Sequence, residues 1–78
     1  MANMSTQELR NRYEHFEQGQ RFEEYCEAIK ICLVNSGYGY HEESAVRLIK
    51  NEVYLLQKAY RAEETPYSIA IDIGYCCG

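Results

Sequence analysis

Cysteine and histidine are the residues of this chain best suited to catalysis or metal binding, and their spacing favours neither. Four cysteines and two histidines are present: Cys26, Cys32, Cys76, Cys77, His15 and His41. A zinc site needs a close pair of ligands on each of two segments, and only Cys76 and Cys77 form such a pair. No structural disulfide is expected, because a bridge between adjacent cysteines is strained and Cys26 and Cys32 would point to different sides of a helix.

Nucleophilic catalysis requires a serine, cysteine or threonine beside a base. The candidate bases are His15 and His41, and no nucleophile is spaced to pair with either. The Gly37-x-Gly39 pair lacks the length, the lysine and the preceding strand of a phosphate-binding loop. We therefore predict no catalytic residue, no metal ligand and no cofactor, in a protein that is not an enzyme.

The charged residues do not predict a basic surface. Twelve acidic and eight basic residues give a formal net charge of −4, and each half of the chain has six acids and four bases. On the predicted helices the two signs alternate, and pairs such as Glu43 with Arg47 are expected at the surface. Direct binding to nucleic acid, which needs clustered Lys and Arg, is not expected.

The N-terminal residues and the apolar segments predict the compartment. Residues 1–8 have neither the basic start nor the apolar stretch of a signal peptide, and no apolar run is long enough to span a bilayer. The sequence therefore predicts a cytoplasmic protein with reduced thiols and no contact with a membrane.

Three helices are predicted from capping signals and from the spacing of apolar residues. Ser5 and Glu8 match a capping box at the start of the first helix, and Gly19 is expected to end or bend it. A second apolar stripe, at steps of three and four residues, runs from Phe22 to Leu33 and indicates an amphipathic helix. The third stripe predicts one long, unbroken helix, and its members are Ala45, Ile49, Val53, Leu56 and Tyr60.

Three further apolar residues, Leu48, Leu55 and Ala59, widen the third stripe beyond what one neighbouring helix covers. A chain of this length buries only a little over half of its unfolded surface. We therefore expect a homodimer, built from one small helical domain over residues 1–78. The predicted fold class is mostly α, as a helical hairpin or a three-helix domain.

In the C-terminal tail, residues 66–78, apolar residues recur with a period of two. Tyr67, Ile69, Ile71, Ile73 and Tyr75 are apolar, and the residues between them are small or polar. Because this period is typical of a β-strand, we predict a C-terminal strand within 66–78. No other segment is predicted to be a strand, so this one would pair across a dimer, add to a partner's sheet, or be a short helix after all.

Residues 69–75, Ile-Ala-Ile-Asp-Ile-Gly-Tyr, resemble the Ile-Ala-x-x-x-Gly-Tyr signature of the helix-turn-helix in AraC-type transcription activators. The resemblance covers seven residues and implies a helical tail whose Gly-Tyr turn leads into a recognition helix for DNA. No recognition helix or basic flank follows Tyr75 in the sequence, and a motif without its structural context is weak. A small DNA-binding regulator with a helix-turn-helix-like C-terminus is therefore kept as an alternative.

Tyrosine is unusually abundant, with eight residues in the chain. Its apolar ring and polar tip make it common at protein interfaces. The glycine-flanked loop and the apolar side of the tail supply the predicted protein-interaction residues: Tyr38, Tyr40, Tyr67, Ile69, Ile71, Ile73 and Tyr75. We predict a non-enzymatic accessory or regulatory protein that binds another protein, for example an inhibitor of a host protein or defence system encoded by a phage or mobile element. A small enzyme or metal protein is a further alternative.

Overall fold

A computed structural model describes residues 5–35 and 41–77, with residues 6 and 75–77 described by their backbone alone. It contains five helices: α1 (Thr6–Tyr13), α2 (Phe22–Asn35), α3 (Glu42–Asn51), α4 (Val53–Arg61) and α5 (Pro66–Cys77). No strand occurs within these ranges. The predicted class, mostly α, is confirmed.

The start of α1 is the one that the capping signal predicted. Ser5 Oγ accepts a hydrogen bond from the backbone N–H of Glu8 at 3.2 Å, which satisfies one of the free donors at a helix start. The helix ends at Tyr13, well before Gly19. Gly19 instead lies in the following loop with a φ of 82°, a conformation that glycine adopts without the steric cost of a side chain.

α2 is the central helix and contacts all four of the others, α5 most extensively. Its apolar stripe is confirmed: Tyr25, Ile29 and Leu33 are fully buried at steps of four residues. One core contains residues from every helix: Leu9, Tyr25, Ile29, Cys32, Leu33, Ala45, Leu48, Leu56, Ala59, Ile69, Ala70 and Ile73. The radius of gyration, 11.3 Å, is close to the value of about 11.5 Å expected for a compact domain of this length.

The predicted third helix is two helices, because the helix is interrupted at Glu52. The backbone there has φ −108° and ψ 23°, and its N–H is shared between the carbonyls of Leu48 and Ile49, at 3.0 and 3.2 Å. Glu52 lies one turn from both Leu48 and Leu56, on the side that faces the core. Burying its carboxylate there would be costly, which accounts for the interruption and for a side chain that stays half-exposed.

The residues that were expected to need a second partner are mostly covered within one chain. Leu48 is 8 % exposed and Ala59 is 1 % exposed, so both belong to the core. Leu55 alone among the three stays on the surface, with 41 % of its area exposed. Most of the apolar width that predicted a homodimer is therefore used for packing within the domain.

The predicted C-terminal strand is wrong, since residues 66–77 form α5. Thr65 Oγ1 accepts a hydrogen bond from the backbone N–H of Ser68 at 3.2 Å, and Pro66 occupies the first helical position, where its missing N–H costs nothing. Ile69 and Ile73 are four residues apart and are buried on one helical face with Ala70. In a pattern with a period of two, every second apolar residue is also four positions from the previous one. The alternation therefore fits one face of a helix as well as a strand.

The same helix bears on the resemblance to the AraC-type signature. The resemblance correctly implied a helical tail, but it also implied a turn at Gly74 and Tyr75. α5 instead continues through Gly74 to Cys77, and Gly74 is buried. The described residues therefore lack the turn that would lead into a recognition helix.

Four aromatic rings form a cluster where α2 and α4 meet the loops between helices. The rings belong to Phe16, Phe22, Tyr25 and Tyr60, with centroids 5.2 to 6.4 Å apart. The hydroxyl of Tyr25 donates to the carbonyl of Glu64 at 2.8 Å, and the hydroxyl of Tyr60 donates to the carbonyl of Gln20. Both the α1–α2 loop and the α4–α5 loop are thereby hydrogen-bonded to the core.

Among the described helices, none combines the length and the apolar character that crossing a membrane requires.

Two neighbouring substitutions distinguish the helix from the predicted strand. Ala70 is 3 % exposed, whereas Ile71 is half-buried. Ala70→Asp is expected to lower the free energy of unfolding by about 3 kcal/mol or more, because a charge enters the core, and Ile71→Asp by less than about 1.5 kcal/mol. Urea denaturation followed by circular dichroism measures both. A strand would reverse the order.

Tyr25→Phe tests the hydrogen bond to the α4–α5 loop. Removing the hydroxyl keeps the ring in the cluster and deprives the Glu64 carbonyl of its donor, so the free energy of unfolding is expected to fall by about 1–2 kcal/mol. Tyr54→Phe is the matched control, because Tyr54 is 85 % exposed. Equal stability of the two variants in urea would show that the Tyr25 hydroxyl contributes nothing.

Candidate functional site

The structure does not bring the predicted interaction residues together on one exposed surface. Ile69 and Ile73 are each 2 % exposed and pack in the core, so a partner could reach them only if α5 moved away. Tyr67 and Ile71 are half-buried. Tyr38 and Tyr40 lie outside the described residues, as does the side chain of Tyr75.

A more coherent surface runs along the solvent side of α3 and α4, and we call it the outer face. It is defined by exposed residues at steps of three, four, four and three: Arg47, Lys50, Tyr54, Lys58 and Arg61. With 3.6 residues per turn, this spacing keeps the side chains on one side of the helices. The opposite side carries Leu48, Leu56 and Ala59, which fix the orientation by packing in the core.

Tyr54 is the most exposed large hydrophobic side chain that the structure describes, at 85 %. It lies in the middle of the outer face, with two basic residues before it and two after it. Leu55, its neighbour in the chain, is also exposed. The outer face thus has an apolar centre with cationic ends.

The four basic residues of the outer face make no ion pair with any described residue. Elsewhere the basic side chains are mostly paired: Arg10 lies 3.1 Å from Glu14, and Lys30 lies 2.9 Å from Glu27. The pair expected between Glu43 and Arg47 is absent from the ion pairs of the described region. The outer face is therefore a local concentration of unpaired positive charge on an acidic protein.

An open hollow adjoins the outer face at the start of α3. It shares two of its lining residues with the face, and the full set is His41, Glu42, Glu43, Val46, Arg47 and Lys50. Both signs of charge and one apolar side chain line this hollow. Such a surface can accept a mixed group of side chains, and no cysteine, serine or threonine lines it.

A second concavity, of about 250 Å³, lies beside the α1–α2 loop and is lined by Arg12, Tyr13, His15, Glu17, Gln20 and Pro66. Gln20 Oε1 is buried without a hydrogen-bond partner in the described structure. His15 has no nucleophile beside it in this lining. Within residues 5–35 and 41–77, no group of three His, Cys, Asp or Glu residues is placed to hold a metal ion.

The two cysteines with described side chains are free thiols. Burial in α2 raises the pKa of the Cys32 thiol to about 12 and also raises the pKa of Cys26, which is half-buried. Because the thiolate is the reactive form, both thiols are poor nucleophiles at neutral pH. Their environment suits packing rather than covalent chemistry.

The outer face carries a signal in the sequence that was overlooked. The alternation of acids and bases along the sequence hides the grouping of four basic residues: Arg47, Lys50, Lys58 and Arg61. Placing them around a helix with 3.6 residues per turn puts all four on one side, with Tyr54 between them. The sequence predicted other tyrosines as interaction residues, because amino-acid composition does not show which tyrosines are buried in the core.

Alkylation of Cys32 tests its burial. In a variant with Cys26, Cys76 and Cys77 replaced by serine, iodoacetamide at pH 8.5 is expected to modify Cys32 about a hundredfold more slowly in the folded chain than in urea. The reason is that Cys32 is 2 % exposed, and its burial also raises the pKa of the thiol. Mass spectrometry gives the rates. Similar rates in both states would contradict the burial of Cys32.

Comparisons of this chain with protein-family models, with curated proteins and with solved structures give no match. The function is therefore argued from the surfaces described above.

Proposed function

We propose that this chain is a non-enzymatic accessory or regulatory protein that binds another protein through the outer face of α3 and α4. The observation that carries the proposal is the exposure of Tyr54, 85 % of which is accessible at the centre of that face. Tyrosine and arginine are enriched at protein interfaces. Inhibition of a host protein, by a chain that a phage or mobile element encodes, is one form that such binding would take.

The arrangement of polar groups supports binding over catalysis. Burial holds the thiol pKa of both described cysteines above the usual value. His15 and His41 are exposed and lie in different concavities. A catalytic centre needs a nucleophile, a base and a group that orients the base within reach of one another, and the described side chains offer no such set.

The homodimer stays a prediction, and fewer exposed apolar residues support it than the sequence indicated. Leu48 and Ala59 pack within the domain, which leaves Leu55 as the exposed part of the widened stripe. Leu55 borders the outer face, so a partner protein docked there would cover it equally well. Light scattering on the purified chain measures its mass and decides whether a homodimer forms.

The proposed function is tested by Tyr54→Ser. Because Tyr54 is exposed, its loss is expected to change the free energy of unfolding by less than about 0.5 kcal/mol. Affinity capture from the cells that naturally produce the chain is expected to recover a partner with the parent chain and to lose it with Tyr54→Ser.

Val34→Ser is the matched control, because Val34 is a surface residue of α2, 37 % exposed, and is not one of the residues of the outer face. This variant is expected to keep the partner. If Tyr54→Ser captured the same proteins as the parent chain, Tyr54 would have no part in binding and the proposal would fail.

A further inference from the structure

We infer that the protein surface recognised by the outer face is acidic, with a row of Asp or Glu carboxylates that meets the row of basic side chains. This inference rests on the proposed function and names the chemistry of the partner. Four cationic groups lie along this face, two on α3 and two on α4. They are Arg47, Lys50, Lys58 and Arg61, and each is exposed.

The availability of these groups is the first argument. None of the four makes an ion pair with a described residue, so pairing with a partner would break no ion pair of the described structure. A single exposed ion pair adds little to affinity. A row of like charges produces a field that attracts a complementary surface and fixes its orientation, which is how charge complementarity contributes to specificity and association rate.

The position of the acidic residues is the second argument. Between Arg47 and Arg61 the only acid is Glu52, which lies one turn from Leu48 and Leu56 on the core-facing side. Around this stretch, Glu23 and Glu27 share a concavity with Lys50, and the exposed Glu63 and Glu64 follow Arg61. α4 itself contains no acid, so carboxylates of a partner that lie along this helix would meet Lys58 and Arg61.

Symmetry argues against a second copy of this chain as the partner at this face. A twofold interface brings the same surface of each copy together. The four cations of one outer face would then meet the four cations of the other, and opposed like charges disfavour association. A homodimer, where it forms, would use a different surface.

The hollow at the start of α3 favours a protein over a nucleic acid. Glu42 and Glu43 line it together with Val46, so this end of the outer face is not basic throughout. Leu55 adds an exposed apolar group beside Tyr54. Mixed charge with apolar contacts matches a protein interface, whereas a nucleic-acid footprint is basic throughout.

The test begins with a photo-crosslinking residue, benzoylphenylalanine, placed at position 54 of the full chain in the cells that naturally produce it. The same residue at position 11, which is exposed on α1 and lines neither concavity that contains Lys50, is the control. Mass spectrometry then maps the crosslinked peptide. We expect a protein crosslink that is specific to position 54, at a peptide rich in Asp and Glu.

The second measurement is the Kd of the purified crosslinked protein for two double variants with equal changes in net charge. Lys50→Glu with Lys58→Glu is expected to weaken binding at least tenfold. Arg12→Glu with Arg21→Glu, at two exposed positions outside α3 and α4, is expected to change the Kd less than twofold. Binding of the parent chain is expected to weaken as the salt concentration rises.

The outcomes separate the two proposals. A protein crosslinked at a neutral or basic peptide, or a Kd that does not respond to Lys50→Glu with Lys58→Glu, would overturn the acidic partner and leave the protein-binding function standing. A nucleic acid crosslinked at position 54, or no crosslink above the control, would overturn both.

Discussion

The hydroxyl of Tyr25 joins α2 to the α4–α5 loop, 39 residues further along the chain. Tyr25 is fully buried, and its hydroxyl donates a hydrogen bond to the α4–α5 loop. The centroid of its ring lies 5.2 Å from that of Tyr60. The Tyr60 hydroxyl in turn donates a hydrogen bond to the α1–α2 loop. Burial, together with the nearby Glu64 carboxylate, raises the pKa of Tyr25 well above its usual value, so the hydroxyl keeps the proton that it donates. The two hydrogen bonds hold α1 and α5 against α2. The outer face of α3 and α4 takes no part in this packing.

The helices that sequence reasoning predicted well are those with local signals that agree. The capping box at Ser5 and the apolar stripe from Phe22 to Leu33 each specify one conformation. The tail carries two signals that disagree, since its alternation fits a strand and its Thr65-Pro66 start fits a helix. The helix prevails because α5 buries Ile69, Ala70 and Ile73 against the core and satisfies its own backbone, whereas a lone strand would leave backbone groups unpaired.

The candidate site was harder to predict than the fold, for a physical reason. Tyrosine serves both the core and the surface, so the sequence does not distinguish the buried Tyr25 from the exposed Tyr54 without the phase of each helix. The charges of the outer face needed the same information. The phase of α3 and α4 depends on Glu52. At this residue, continuing the helix competes with the free-energy cost of burying a carboxylate.

The interruption at Glu52 also determines the shape of the outer face. Tyr54 and the basic residues on either side of it belong to two short helices that meet at Glu52. The curvature of the outer face is therefore encoded separately from its charge. A homologue could keep every basic residue and still fit a differently curved partner by exchanging this glutamate for a residue that lets the two helices fuse.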